Sequence, residues 1–113
     1  MKKVIYIAGK YRGASHYEVL QNIETARNKF IELTAEGYAP ICPHTMCAWL
    51  EGAISGEEET DDIVWLENDL AIVAKCDAIY MLDGWEYSKG ATNEYAFAKE
   101  LGLEIIFEKT VSI

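Results

Sequence analysis

Three short stretches hold residue types that can attack a carbon atom, move a proton or hold an anion. In "GWEYSKGATNEYAFAKELG" a glycine-bearing turn runs into an expected helix over residues 90–101, with Glu94 expected in its first turn. Gly90 permits close backbone approach, Ser88 and Thr92 supply hydroxyls, and a helix N-terminus favours an ionised carboxylate. An ionised carboxylate suits attack at a sugar anomeric carbon, where the developing oxocarbenium ion is positive. The same Glu94 also reads as an ordinary acidic residue near a helix start, and its spacing does not choose between the two. Asp69, in "VWLENDLAIV", is flanked by Leu66, Leu70 and Ile72 and by polar Glu67 and Asn68. It either shares their exposed side or points into a site, where burial would demand partners or raise its pKa. The third stretch, "AGKYRGAS", sets Gly9 and Gly13 around Lys10, Tyr11 and Arg12 ahead of a helix, which suits an anion. It has neither the G-K-[ST] ending of a P-loop nor G-x-G-x-x-G, and also reads as a solvated turn.

Two other groupings carry weaker signals. "CPHTMC" gathers Cys42, His44 and Cys47, but no second cysteine pair follows, so no metal is expected. His44 reads instead as a loop residue near a ligand or a polar helix cap. Of the aromatic residues Tyr11, Trp49, Trp65, Trp85 and Tyr87 most are expected in the core, while Tyr11 and Trp85 fall in loops where a planar base can stack. The first loop lacks the run of hydroxyl residues that a flavin phosphate would want, so an electron carrier is disfavoured and no cofactor is expected.

The elements that must position these residues alternate in type. "VIYIA" is a short buried strand, better read as the start of the domain than as a secretory leader. Val19, Leu20, Ile23, Ala26, Phe30 and Leu33 mark one face of a helix over 15–36, with Ser15 as N-cap and Gly37 as its stop. "YAPICP" is a second strand that its prolines confine to an edge or to strand ends. A short helix over 45–50, a glycine-punctuated loop and an acidic run over 57–62 follow, the run expected as the solvated N-terminus of a buried helix over 63–75. Strands over 77–82 and 104–108 bracket the helix that carries Glu94. This order predicts an α/β fold with a parallel sheet covered on both faces. Ligands of such sheets bind beyond the carboxyl ends of the strands, where the loops "GKYRGAS", "PHTMCAW" and "DGWEYSKGATNE" and the tail after the last strand fall.

The 113 residues suit one domain, half of them apolar. No apolar run approaches the ~20 residues of a membrane span, so no membrane partner is expected. A net charge of −9 argues against a nucleic acid polymer, though not against one phosphate in a local basic pocket. Three cysteines without a paired framework suit a reducing cytoplasm.

Taken together, "YIAGKYRGA", "GYAPICPH" and "WLENDLAIVAKCDAIYMLDGWEYSKGATNEYAFAKELG" resemble the nucleoside 2-deoxyribosyltransferase-like superfamily. The likeness is closer to a small bacterial and phage group filed as a domain of unknown function. It covers nearly the whole chain, as a single domain over 1–113, and its most specific part is carried by Asp77, Gly84, Trp85, Ser88, Gly90, Glu94 and Ala98. The resemblance implies a flavodoxin-like (Rossmann-like) three-layer sandwich with a parallel sheet of four to five strands. It implies cleavage of the N-glycosidic bond of a 2′-deoxyribonucleoside 5′-monophosphate, or deoxyribosyl transfer between bases. Glu94 maps to the nucleophile and Asp69 to a residue assisting at the base or deoxyribose. Tyr11, Arg12, Gly13 and Ser88 map to a 5′-phosphate site. Family sites are completed near the carboxyl terminus of a neighbouring subunit, which implies a homodimer or higher homo-oligomer. Here the segment after the last strand is "KTVSI", offering Thr110 and Ser112. The middle loop, "PHTMCAWLEGAISG", is the expected base-specificity segment. The other expectation is a nucleotide-binding or sensor protein without catalysis.

Overall fold

Alternation along the first strand sorts the core into two halves. In β1 (Val4–Ala8), Ile5 and Ile7 pack on one face with Ala26 and Leu33, while Tyr6 and Ala8 join Val73, Ala91 and Ala98 on the other. Successive strand side chains point to opposite faces, so a strand buried on both must be apolar throughout. β3 (Ala78–Met81) repeats the pattern, Ala78 and Tyr80 against Ile79 and Met81. The computed structural model describes residues 1–108, apart from the side chains of residues 59 and 60. The expected contributions of Thr110 and Ser112, and of the tail as a whole, lie outside the described residues.

Between β1 and β2 (Ala39–Ile41) runs α1 (His16–Ala35), capped by Ser15, whose hydroxyl accepts the Glu18 N–H. Then come α2 (Pro43–Met46), α3 (Glu58–Val73), β3, a 3₁₀ turn over Trp85–Tyr87, α4 (Lys89–Glu100) and β4 (Glu104–Phe107). The four strands are parallel in the order β2-β1-β3-β4, and α1 covers one face while α3 and α4 cover the other. This is the expected flavodoxin-like arrangement, with the proline-bearing β2 at an edge.

Two boundaries differ from the sequence expectation for physical reasons. The short helix occupies Pro43–Met46 rather than 45–50, because proline's fixed φ suits the first helical position. Beyond it Trp49 takes a left-handed φ of 65°. α3 begins at Glu58 rather than 63, so the acidic run forms its first turns, where carboxylates complement the helix dipole. That run is not wholly solvated: Asp61 is fully buried and accepts the N–H groups of Ile54 and Ser55 at 2.9 and 3.0 Å and the Ser55 hydroxyl at 2.6 Å. Asp61 thereby ties the loop before α3 to the helix.

Candidate active site

A face of α4 explains why Glu94 is buried. Ala91, Glu94 and Ala98, spaced by three and four, form the helix's buried side. The alanines let α4 approach β1, where Ala8 is equally small, and Glu94 is carried in with them at 6% exposure. Glu94 lies in the second turn of α4, not the first as expected, because the helix starts at Lys89 under a Ser88 cap. The Ser88 Oγ accepts the Ala91 N–H at 3.1 Å.

Inside, Glu94 meets a residue from the opposite end of the chain. The Tyr6 hydroxyl donates a hydrogen bond to Glu94 Oε2. Asp69 joins them from α3, where it shares a face with Asp62, Trp65 and Leu66 at helical spacing. Asp69 is half-buried and lines the same cavity as Glu94. Burial pushes the Glu94 carboxyl up to about 8, against the Tyr6 hydrogen bond, which lowers it, and the Asp69 charge adds a smaller rise. Burial likewise raises Asp69 to about 6, again opposed by Tyr6. The Tyr6 phenol is held strongly in its neutral form, first by burial and then by the two carboxylates. A permanent donor therefore sits beside two carboxyl groups whose protonation changes near neutrality.

Glu94 and Asp69 line a cavity of about 1050 Å³ beyond the carboxyl ends of β1 and β3, with Tyr6 fully buried behind them. The β1–α1 loop contributes Gly9, Lys10, Tyr11 and Arg12, the segment after β2 gives His44, Cys47 and Glu51, and the α4 entry gives Ser88, Lys89 and Gly90. Gly9 is required by close approach: a Cβ there would lie 2.7 Å from Leu82 Cδ1. Tyr11 spans the mouth, donating its hydroxyl to Glu51 and accepting the Trp49 N–H at 3.2 Å. The Arg12 guanidinium donates to Asp62. His44 is buried, and its Nε2 donates to the Lys10 carbonyl at 2.9 Å. A carbonyl only accepts, so that bond fixes the tautomer and leaves Nδ1 as an acceptor. Burial lowers the His44 pKa and keeps the ring neutral.

Eight of the ten expected site residues thus line one cavity: Gly9, Tyr11, Arg12, His44, Asp69, Ser88, Gly90 and Glu94. Gly13 and Trp85 are not among its lining residues. A Cβ at Gly13 would come within 2.5 Å of Glu18 Cβ, so the glycine serves the seating of α1, whose Glu18 accepts the Ala14 N–H. Trp85 stacks 4.7 Å from Tyr95 and 6.0 Å from Phe107, over α4 and β4, rather than over the cavity. Of the would-be metal ligands, Cys42 packs with Ile5 and Ile7 in the core, while Cys47 and His44 line the cavity.

Sequence reasoning missed Tyr6, Trp65, Glu51 and Asp62. Tyr6 had a signal: a phenol in a buried aliphatic strand needs a partner for its hydroxyl. Asp62 and Trp65 had one too, lying seven and four residues before Asp69 on the same helical face.

Comparison with known proteins comes to three findings. The family model described as Domain of unknown function (DUF4406) matches residues 3–107. A search of curated proteins finds no match. A solved structure, a 2-deoxyribosyltransferase from the psychrotolerant bacterium Bacillus psychrosaccharolyticus, superposes with a TM-score of 0.63 at 19% identity, over 96% of this chain and 77% of that one.

Proposed function

Because the chain belongs to the DUF4406 family and shares its fold with a 2-deoxyribosyltransferase, we propose that it cleaves the N-glycosidic bond of a 2′-deoxyribonucleoside or its 5′-monophosphate. The observation that carries this reading is the pair Glu94 and Asp69 lining one cavity of about 1050 Å³, with the buried Tyr6 hydroxyl donating to Glu94.

In the proposed reaction a Glu94 carboxylate oxygen attacks C1′ as the C1′–N bond breaks. The base leaves with the bonding pair and takes a proton from Asp69 or from solvent. The Tyr6 hydrogen bond holds one Glu94 oxygen and orients the other. Water then attacks C1′ of the glycosyl-enzyme and loses a proton, releasing the sugar and regenerating the carboxylate. If a second base attacks in place of water, the outcome is transfer. Lys10, Arg12 and Lys89 bring cations to the same cavity, which supports a 5′-phosphate on the substrate. Arg12 would have to exchange its Asp62 partner for that phosphate.

One observation favours a second reading, nucleotide binding without catalysis. With a pKa near 8 the resting Glu94 is largely protonated at neutral pH, and a neutral carboxyl is a poor nucleophile. Incubation with each deoxynucleoside and monophosphate, followed by chromatography for free base, separates the two. The glycosidase reading expects free base from the native protein and a loss of at least about a thousandfold in Glu94→Gln, with binding retained. Thermal stabilisation by nucleotide without free base would favour the binder. A Glu94→Gln protein that turns over at the native rate would remove Glu94 from the chemistry.

A further inference from the structure

Arg12 reaches the cavity with its charge already claimed. Its guanidinium donates to the Asp62 carboxylate, whereas Lys10 and Lys89, the other cations of the lining, have no ion pair among the described residues. Arg12 and Asp62 both line the cavity, and their side chains are 52% and 53% exposed, so a solute can reach either one. An ion pair that open to solvent is weak enough to be exchanged for a better anion. We propose that Asp62 is an internal competitor for the substrate's 5′-phosphate and thereby sets how strongly the site prefers a monophosphate to the free nucleoside. This inference rests on the nucleotide reading of the same site and deepens it.

Placement makes the two anions exclusive. Asp62 precedes Asp69 by two turns on one face of α3, about 10 Å along the helix axis. With C1′ beside Glu94 and Asp69, the 5′-phosphate of the same molecule lies nearer than that. The guanidinium therefore meets it by leaving Asp62 and turning inward. The backbone is pinned on both sides of the pair. Asn22 Nδ2 donates to the Tyr11 and Arg12 carbonyls at 3.0 and 3.3 Å, and Asp61, next to Asp62, anchors the start of α3 to the Ile54 and Ser55 N–H groups. The exchange is thus a rotation of one long side chain. A phosphate dianion outbids Asp62 because it carries more charge than a single carboxylate and adds further acceptor oxygens. Asp62, already half exposed, stays in water when released. A neutral nucleoside leaves the pair intact, so Asp62 weakens only those ligands that claim Arg12.

The test compares the native protein with Asp62→Asn, Arg12→Gln and the double variant, with melting temperature as a check on folding. Equilibrium binding and base release are measured for 2′-deoxyadenosine, 2′-deoxyguanosine, 2′-deoxycytidine, thymidine and their 5′-monophosphates. Asp62→Asn is expected to bind the monophosphates about fivefold more tightly and the free nucleosides within about twofold of native. In the Arg12→Gln background the same substitution should move monophosphate binding by less than about twofold, because no guanidinium is left to compete for. An unmoved ratio of monophosphate to nucleoside affinity would overturn the inference. So would weaker monophosphate binding in Asp62→Asn, which would make Asp62 a support that aims Arg12. An equal gain with and without Arg12 would also overturn it, by reducing the effect to net charge. The expected shift without free base from any ligand would keep Asp62 as the competitor and sink the glycosidase. Free base with an unmoved ratio would do the reverse. Neither binding nor release would sink both.

Discussion

Glu94 is held where its charge is expensive, and that has two measurable consequences. Its folded pKa lies above the ordinary 4.5, so the folded state binds the proton more tightly than the unfolded chain does. The Glu94 contribution to stability is therefore greatest at low pH and is lost as the pH rises from about 4.5 through 8. Glu94→Gln removes that penalty. At ~1.4 kcal/mol per pKa unit the gain at pH 8.5 is of the order of a few kcal/mol. The melting temperature of Glu94→Gln should exceed the native value by about 4 °C or more at pH 8.5, and by much less at pH 5. Equal shifts at the two pH values would contradict the buried, proton-holding carboxyl. Tyr6→Phe acts in the opposite sense on the site. It deletes the bond that lowers both carboxyl pKa values, so the acid limb of the pH–rate profile should move to higher pH and activity at pH 7 should fall about tenfold or more. An unmoved profile would mean that the phenol only fills space. Glu94 was recognisable by its motif, whereas its burial was written in the Ala91–Glu94–Ala98 spacing. Tyr6 lies 88 positions away, and no local pattern pairs the two; only the docking of α4 onto β1 does.

Helix starts do much of the positioning. Ser88 caps α4 and sets the turn from which Glu94 is counted, so Ser88→Ala should cost about 0.5–2 kcal/mol in chemical denaturation. A second duty on the substrate's phosphate would show separately, as a rise in KM for the monophosphate larger than that for the nucleoside. Equal rises would assign Ser88 to the cap alone. Most element ends were legible because their signals are local: Ser15 as N-cap, Gly37 with its φ of 101° and the edge position of the proline-bearing β2 all follow from one or two residues. The starts of α2 and α3 were less so. Pro43 reads equally as the end of a strand or the first residue of a helix. The acidic run before residue 63 lacks the apolar periodicity that marks a helix, and only Asp61, turned inward to the loop at Ile54 and Ser55, fixes it as one.

At the scale of the molecule the alternation of strands and helices predicted a parallel sheet with its ligand edge at the strands' carboxyl ends. The resemblance supplied the flavodoxin-like arrangement, and the order β2-β1-β3-β4 agrees with both. Composition was silent on which loop residues turn inward. Arg12 engages Asp62, and Trp85 leaves the cavity for Tyr95 and Phe107, because partners from distant segments compete for them. The central claim is that this fold brings Glu94 to C1′ as a nucleophile. Its most direct test is the intact mass of the protein during turnover of a 2′-fluorinated 2′-deoxynucleoside, whose fluorine slows release of a glycosyl-enzyme, followed by peptide mapping. The account predicts one added fluorodeoxyribosyl group, placed on Glu94 and absent from Glu94→Gln. Free base released with no adduct at any time, or an adduct on another residue, would contradict it.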